Sequence, residues 1–258
     1  MARDFDGTGD YISNNSFAWT GTDDMSVFWW SYVPSPDKQA FTFTIGTTNL
    51  AGDRILSHAP WDDGTLYWDY GNATAGDGRL STSYVAYMDK WTSIGLLATS
   101  AELMKIYLDG VEVATQDFRG APTNKTRITI GSDAIGSSSL SHKGRIAWFA
   151  VWNVGLTATE FSMLHNGMPP LALRPNSLKA CYPIWGTTSP EPDWAGGNFH
   201  AAVTNTTRID HPPRISALWL APHPRLVQVA AAAAAGQPSM RRWGGIPHML
   251  TGQRGRTW

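Results

Sequence analysis

The sequence has little cysteine and no long apolar segment. Cys181 is the only cysteine among 258 residues, so no disulfide can form within the chain, and this usage is typical of proteins that fold in a reducing compartment. Met1 leads within a few residues into a predicted strand instead of a secretion signal, and no run of about 18 apolar residues could cross a membrane. We therefore expect synthesis in the cytoplasm without a signal peptide, and no membrane partner.

Acidic residues are missing from one end of the chain. Residues 1–210 hold 14 Lys and Arg against 21 Asp and Glu, a net charge of −7, whereas residues 211–258 hold six Arg and no acid, a net charge of +6. The basic part also contains the alanine run 230–235, which is too short to form a stable helix alone. We predict a folded domain over residues 1–213 and an extended basic tail, rich in Ala, Gly and Pro, over residues 214–258.

The tail has the composition of a segment that becomes ordered on a partner. Its apolar anchors stand between arginines, and the predicted docking residues are Arg241, Arg242, Trp243, Arg254, Arg256 and Trp258. Arginine without lysine or a recognisable binding fold is weak evidence for nucleic acid. We therefore expect the tail to bind a protein partner or further copies of the same chain.

The residues before the tail show the period-2 alternation of half-buried strands. Met104, Ile106 and Leu108 alternate with Lys105 and Tyr107, and the following Asp-Gly pair at 109–110 favours a tight hairpin turn. Further strands are predicted over residues 25–33, 41–45, 54–58, 65–70, 84–87, 111–113, 126–130 and 145–152, with 72–83 as a loop. These elements predict an antiparallel all-β fold.

Two strands and one helix start can be predicted in more detail. The adjacent Trp29 and Trp30 must point to opposite faces of their sheet, one of them toward the core. Ile146 and Trp148 are predicted to share a face of the strand over 145–152. Thr157 followed by a glutamate at position 160 predicts a capping box that begins one short helix.

Several motifs resemble those of a known family. W-x-x-I-G-L at 91–96, I-Y-L-D-G-V-E-V at 106–113 and G-R-I-A-W-F-A-V-W-N-V-G-L-T-A-T-E-F at 144–161 are similar to the second half of a laminin-G-like, concanavalin A-like jelly roll. The segment R-D-F-D-G-T-G-D-Y-I-S at 3–13 resembles the family's opening strand, and the resemblance extends over roughly residues 3–167. It implies a two-sheet antiparallel jelly-roll sandwich with one short helix, followed here by the extended tail.

The run over 178–213 resembles the strand pair that often begins such a domain, but in this chain it comes last. We predict that the chain ends of the domain meet and that these residues complete the edges of the sheets. The same fold hosts lectins, glycosidases, adhesion modules and virion proteins, so the resemblance does not by itself fix the function.

Two groups of residues are candidates for a binding site. Aromatic rings can stack on the apolar face of a sugar, and neighbouring carboxylates can accept hydrogen bonds from its hydroxyl groups. This combination occurs at Trp61, Asp62, Asp63, Trp68 and Tyr70. The alternative is an ordinary hairpin turn whose tryptophan packs locally. Asp6 and Asp10 are typical turn residues, and the alternative for them is a contribution to a calcium site. No other cofactor is predicted.

Catalysis is not expected. Glucanase relatives of this fold place two carboxylates about 5.5 Å apart from a closely spaced glutamate motif, and the four glutamates here are far apart in sequence, at 102, 112, 160 and 191. We predict a virion structural protein of a tailed phage, resembling single-module phage proteins of this family. It would lie on the virion surface, decorating the capsid or tail, contacting capsid or tail proteins and cell-surface glycans. The alternative is a free carbohydrate-binding lectin, with or without calcium.

Overall fold

Two antiparallel β-sheets stack face to face, as the strand patterns predict. The computed structural model describes residues 1–36, 39–47, 53–73, 77–101, 103–117, 120–134, 136, 138–186, 189–210 and 212. The fold is therefore the predicted all-β jelly-roll sandwich. The predicted tail over 214–258 and its docking residues lie outside the described residues.

The first sheet, sheet A, has eight strands. They are β1 (Ala2–Asp6), β3 (Met25–Tyr32), β8 (Trp91–Thr99), β9 (Leu103–Leu108), β10 (Val111–Asp117), β12 (Lys143–Trp152), β13 (Leu178–Tyr182) and β15 (Thr207–Ile209). Their order is β10-β9-β8-β3-β12-β1-β15. Strand β13 also pairs with β12, because β12 is long enough for β1 to pair with its first half and β13 with its second half.

The second sheet, sheet B, has seven strands. They are β2 (Tyr11–Asn14), β4 (Phe43–Ile45), β5 (Arg54–His58), β6 (Thr65–Gly71), β7 (Arg79–Ser83), β11 (Ile128–Ile130) and β14 (Ala202–Thr204), in the order β14-β2-β11-β4-β5-β6-β7. The part of the chain that the structure describes has one α-helix, α1, over Ala158–His165, and four 3-10 turns, over Val85–Tyr87, Ser138–Leu140, Pro170–Ala172 and Pro175–Ser177. Among the residues described, no helix is long and apolar enough to cross a membrane.

Aromatic side chains fill the space between the sheets. Phe43 of sheet B lies 5.6 Å from Trp29 and 5.2 Å from Phe149 of sheet A, measured between ring centroids, and both pairs meet edge to face. This geometry is the favourable one for aromatic quadrupoles. Burial of such side chains contributes roughly 1.5–3 kcal/mol each and is the main stabilising contribution to the sandwich.

A second apolar cluster lies on the outer face of sheet A, where helix α1 covers it. Phe161 of α1 stacks on Tyr107 at 4.3 Å, and Trp30 belongs to the same cluster. Gly95 lets the helix approach, since a Cβ there would overlap the ring of Phe161. Strand β3 is largely apolar, and all of its residues except Tyr32 are buried, because the strand is covered on both faces. The prediction that Trp29 and Trp30 point in opposite directions is confirmed, with Trp29 facing the core between the sheets.

The predicted hairpin and helix start are both confirmed. Asp109 and Gly110 have φ values of 50° and 78°, the left-handed conformation that a tight β9–β10 turn requires. At α1, the Thr157 hydroxyl accepts from the backbone N–H of Glu160, whose carboxylate accepts from the Thr157 N–H in return. Both the turn and the helix start are determined by residues that lie within a few positions of each other in the sequence.

Three predictions about the strands are wrong. Ile146 and Trp148 do not share a face, because β12 has one more residue than β3 between Ala147 and Ala150. This bulge gives Trp148 a φ of 53° and turns its indole to the outer face, while Ile146 faces the core. The predicted loop over 72–83 contains β7, and the predicted strand over 84–87 is a 3-10 turn.

The last strands of the described chain pair with the first ones. Strand β15 pairs with β1 at the edge of sheet A, and β14 pairs with β2 at the edge of sheet B. Between these edges, the guanidinium of Arg3 forms a buried ion pair of 3.0 Å with the carboxylate of Glu191. The opening strand therefore depends on residues that lie almost 200 positions later.

Candidate functional site

The aromatic residues of strand β6 divide between its two faces. Trp68 and Tyr70 face the core and are buried, Trp68 donating to the carbonyl of Leu97 at 3.2 Å and Tyr70 to that of Asp23 at 3.0 Å. A buried ring cannot stack on a sugar, so these two residues are not part of a surface site. This corrects the sequence interpretation, which did not establish which face of β6 lies in the core.

The loop between β5 and β6 holds the other three predicted residues at the surface. Asp63 closes the loop, since its carboxylate accepts from the Thr65 N–H and from the Tyr67 hydroxyl, both at 2.8 Å. Trp61 is half-buried, and its ring meets that of His58 at 4.4 Å. The loop is thus a hairpin turn whose tryptophan packs locally, and it also keeps Trp61 and Asp62 partly open to solvent.

These residues border a cavity of about 430 Å³ on the outer face of sheet B. Its lining combines aromatic, cationic and acidic side chains, namely Phe41, Arg54, His58, Trp61, Asp62, Asp63, Tyr67, Arg79 and Leu140. Alternation along three neighbouring strands assembles this set, because Arg54 and His58 of β5, Tyr67 of β6 and Arg79 of β7 all project away from the core.

The charged floor of the cavity is built around Asp69. This carboxylate is completely buried and accepts two bonds from Arg79, at 2.7 Å from Nε and 2.6 Å from Nη2. Nη1 of Arg54 approaches it to 3.4 Å from the other side. Arg79 and Asp69 are direct cross-strand partners in the register of β6 and β7, which explains their two-pronged geometry.

The ring of His58 forms part of the cavity wall without adding charge. It is buried, and this burial lowers its pKa from 6.5 to about 4. Nδ1 lies 2.8 Å from the carbonyl oxygen of Ala40, which can only accept, so Nδ1 carries the proton of the neutral ring. The positive charge of the cavity at neutral pH therefore comes from the two arginines.

The sequence patterns did not point to five residues of this site, namely Arg54, His58, Tyr67, Asp69 and Arg79. The alternation of β6 offered a signal, because Tyr67 and Asp69 necessarily face away from Trp68. Using that signal required knowledge of which face is buried. The participation of Arg54 and Arg79 further required the register of three strands, which the sequence does not display.

Asp6 and Asp10 form a turn between β1 and β2. Asp10 accepts from the backbone N–H of Asp6 at 2.8 Å, and Asp6 accepts from both the N–H and the hydroxyl of Thr8 at 2.6 Å. These contacts are the turn chemistry expected of aspartate. Within the described part of the chain, no three His, Cys, Asp or Glu side chains are placed to hold a metal ion.

Comparison with known proteins identifies the family. The family model described as the concanavalin A-like lectin/glucanases superfamily matches residues 6–162. No curated protein matches the chain.

Two solved structures show the same fold. A Bacteroides ovatus protein, provisionally described as carbohydrate-binding, superposes with a TM-score of 0.59 at 19% identity, over 83% of this chain and 61% of its own. The chain thus spans less than two thirds of that protein. A heptameric SAP-like pentraxin of Limulus polyphemus gives a TM-score of 0.51 at 19% identity, over 66% of this chain and 84% of its own.

At these identities the likeness is one of fold. The family model, however, covers more than half of the 258 residues and includes the motifs at 91–96, 106–113 and 144–161. The chain therefore belongs to the concanavalin A-like lectin/glucanases superfamily.

Proposed function

We propose that the sandwich is a carbohydrate-binding module and that its ligand occupies the cavity beside Trp61. The cavity itself carries this proposal, because its volume of about 430 Å³ falls within the range of small-ligand sites. Trp61 and Tyr67 offer aromatic surface to the apolar face of a sugar ring. Asp62 and Arg79 offer an acceptor and a donor to its hydroxyl groups.

We propose further that the module binds without catalysis. Hydrolysis of a glycosidic bond needs a carboxylic acid whose pKa is raised so that it can donate a proton. At Asp63, burial raises the pKa, but hydrogen bonds from Tyr67 and Thr65 outweigh it and keep the pKa below the usual value. Each described glutamate is paired with a cation: Glu112 with Lys105, Glu160 with Arg174 and Glu191 with Arg3.

Replacement of Trp61 tests the binding proposal. We expect Trp61→Ala to lose about fivefold or more in affinity for a glycan that the intact chain binds. This magnitude takes, for a stacked sugar ring, the roughly 1–3 kcal/mol that a nucleic-acid base gains by stacking on an aromatic side chain. The glycan would be found on an array and its affinity measured by titration calorimetry. Trp194→Ala is the matched control. Trp194 is also partly exposed, at 38%, but it packs against Trp148 and Trp185 on the outer face of sheet A, whereas the cavity lies on sheet B.

Two results would contradict the proposal. The first is an intact chain that binds no glycan on the array. The second is a Trp61→Ala chain that keeps full affinity while folding normally. Reduced affinity in both tryptophan variants would point to general damage, and thermal unfolding of each variant checks for that.

A second candidate is favoured by the charge distribution: a structural protein on the virion surface of a tailed phage. The acidic residues 1–210 and the acid-free, arginine-rich residues 211–258 are suited to different tasks. The sandwich would be displayed on the capsid or tail, and the residues from 214 onward would attach it to the particle or to neighbouring copies. The two functions are compatible, since a displayed module can bind host glycans.

Truncation tests this attachment. We expect a chain of residues 1–213 to remain folded and to be a monomer, while the full chain forms defined oligomers or attaches to particles. Light-scattering mass after size exclusion, followed by incorporation into particles, measures both. Equal mass and equal incorporation of the two chains would exclude the attachment role and leave glycan binding as the function to pursue.

A further inference from the structure

We infer that the sugar bound in this cavity is acidic and that its carboxylate pairs with the arginines of the cavity floor. This inference rests on the carbohydrate-binding function proposed above and adds the class of ligand. Three features of the floor support it: its arginines are more accessible than its carboxylate, Arg79 has a donor left for a ligand, and the guanidinium of Arg79 is held in place.

The floor has more positive than negative charge, and the positive charge is the accessible part. Two guanidinium groups share the single carboxylate of Asp69, which leaves a net charge of +1. The Asp69 side chain has no exposed surface, whereas the side chains of Arg54 and Arg79 are 23% and 31% exposed. A ligand in the cavity therefore meets the cations and is shielded from the carboxylate beneath them.

Arg79 still has hydrogen-bonding capacity toward a ligand. Its Nε and Nη2 atoms donate to Asp69, while Nη1 makes no hydrogen bond to any residue that the structure describes. A guanidinium has five N–H groups and no acceptor, so its remaining partner must be an acceptor. A carboxylate is the strongest acceptor in natural sugars and matches the planar geometry of the guanidinium.

The cationic group is also held in place before a ligand arrives. The guanidinium carbon of Arg79 lies 5.1 Å from the ring centroid of Tyr67, and the same guanidinium is fixed from below by Asp69. Tyr67 is in turn tied to Asp63 through its hydroxyl. Binding to such a fixed group costs less side-chain entropy than binding to a mobile arginine.

The acidic residues at the rim do not cancel this preference. Both carboxylate oxygens of Asp63 accept bonds within the loop, and Asp62 accepts from the amide of Gln39 at 3.0 Å. Asp62 and Asp63 are exposed at the loop tip, where solvent and salt screen their charge, whereas the floor is partly enclosed. Asp62 lies beside Trp61 and is suited to accept from a hydroxyl group of the same sugar.

Matched sugars provide the test. Methyl glucuronide and methyl glucoside differ in the carboxylate, and so do methyl galacturonide and methyl galactoside. By calorimetry or ligand-observed NMR with the full chain, we expect the acidic member of a pair to bind about tenfold more tightly, the effect of one charge-assisted hydrogen bond. This advantage should shrink as salt is raised from low to physiological concentration.

Arg54→Gln is the informative variant, because it removes the surplus charge while Arg79 still neutralises Asp69. We expect it to abolish the preference for the acidic sugar by lowering the affinity for that sugar. Arg208→Gln is the matched control, since Arg208 is exposed on β15 of the other sheet. The control should keep the full preference.

The outcomes separate this inference from the function on which it rests. Equal affinity for acidic and neutral sugars, or an unchanged preference in Arg54→Gln, would overturn the inference and leave carbohydrate binding standing. An array holding both acidic and neutral glycans, none of them bound, would overturn the proposed function itself.

Discussion

Acid should unfold this protein through a histidine buried between β11 and β12. The ring of His142 packs edge-on against Phe5 at 5.9 Å, and its Nε2 atom has no hydrogen-bond partner among the described residues. Burial alone lowers the pKa of His142 to about 4. The ring is therefore neutral in the folded chain over a pH range in which the unfolded chain binds a proton.

The sign and size of the effect follow from linkage. Below pH 6.5 the unfolded state takes up a proton that the folded state does not, so stability falls as the pH falls toward 4. A pKa of about 4 against 6.5 amounts to about 3.4 kcal/mol below both values, and to about 2 kcal/mol at pH 5. His58, with a pKa of about 4, should add a similar loss. Together these losses are a large fraction of a typical free energy of unfolding, about 5–15 kcal/mol.

Urea denaturation followed by tryptophan fluorescence at pH 7.5, 6 and 5 measures this dependence. Between pH 7.5 and 5, we expect His142→Leu to lose about 2 kcal/mol less stability than the unmodified chain. The comparison uses the change with pH within each chain, so a packing difference caused by leucine cancels. An identical loss in both chains would refute the assignment of the acid sensitivity to His142.

Three substitutions test the packing of the sandwich, each by urea or thermal denaturation. Gly95→Ala should destabilise the fold by about 1–3 kcal/mol, because the added methyl overlaps Phe161, and an unchanged midpoint would show that α1 can shift freely. Trp68→Ala should cost about 3–5 kcal/mol because it opens a cavity in the core, so a merely surface-like loss below about 1 kcal/mol would contradict its burial. Glu191→Gln should cost about 3 kcal/mol or more by leaving Arg3 charged and buried, and a stability equal to that of the parent would mean that water reaches this pair.

Features that arise within a few residues could be predicted from the sequence. The β9–β10 hairpin follows from Asp109-Gly110, and the start of α1 follows from Thr157 and Glu160. The family motifs placed both elements within the correct sandwich.

Features that depend on pairing across strands could not be predicted. The bulge at Trp148 lies where β12 has one more residue than its partner β3, and the sequence of β12 does not display that register. Strand β7 has few apolar residues and is a strand because it pairs with β6. The candidate site could not be predicted for the same reason. The sequence interpretation included Trp68, which faces the core, and omitted Arg79, which the register of β7 against β6 brings to the site.

The pairing of β1 with β15 has a consequence for biosynthesis. Strand β1 gains its two neighbours only after residues 143–146 and then 207–209 have been synthesised. Strand β2 pairs with β11 earlier but gains its second neighbour only with residues 202–204. Contacts separated so far in sequence form slowly. Until these late strands have left the ribosome, β1 and β2 each have an unpaired edge, and such edges recruit other chains into aggregates. A nascent chain stalled before residue 202 is therefore the form of this protein most in need of a chaperone.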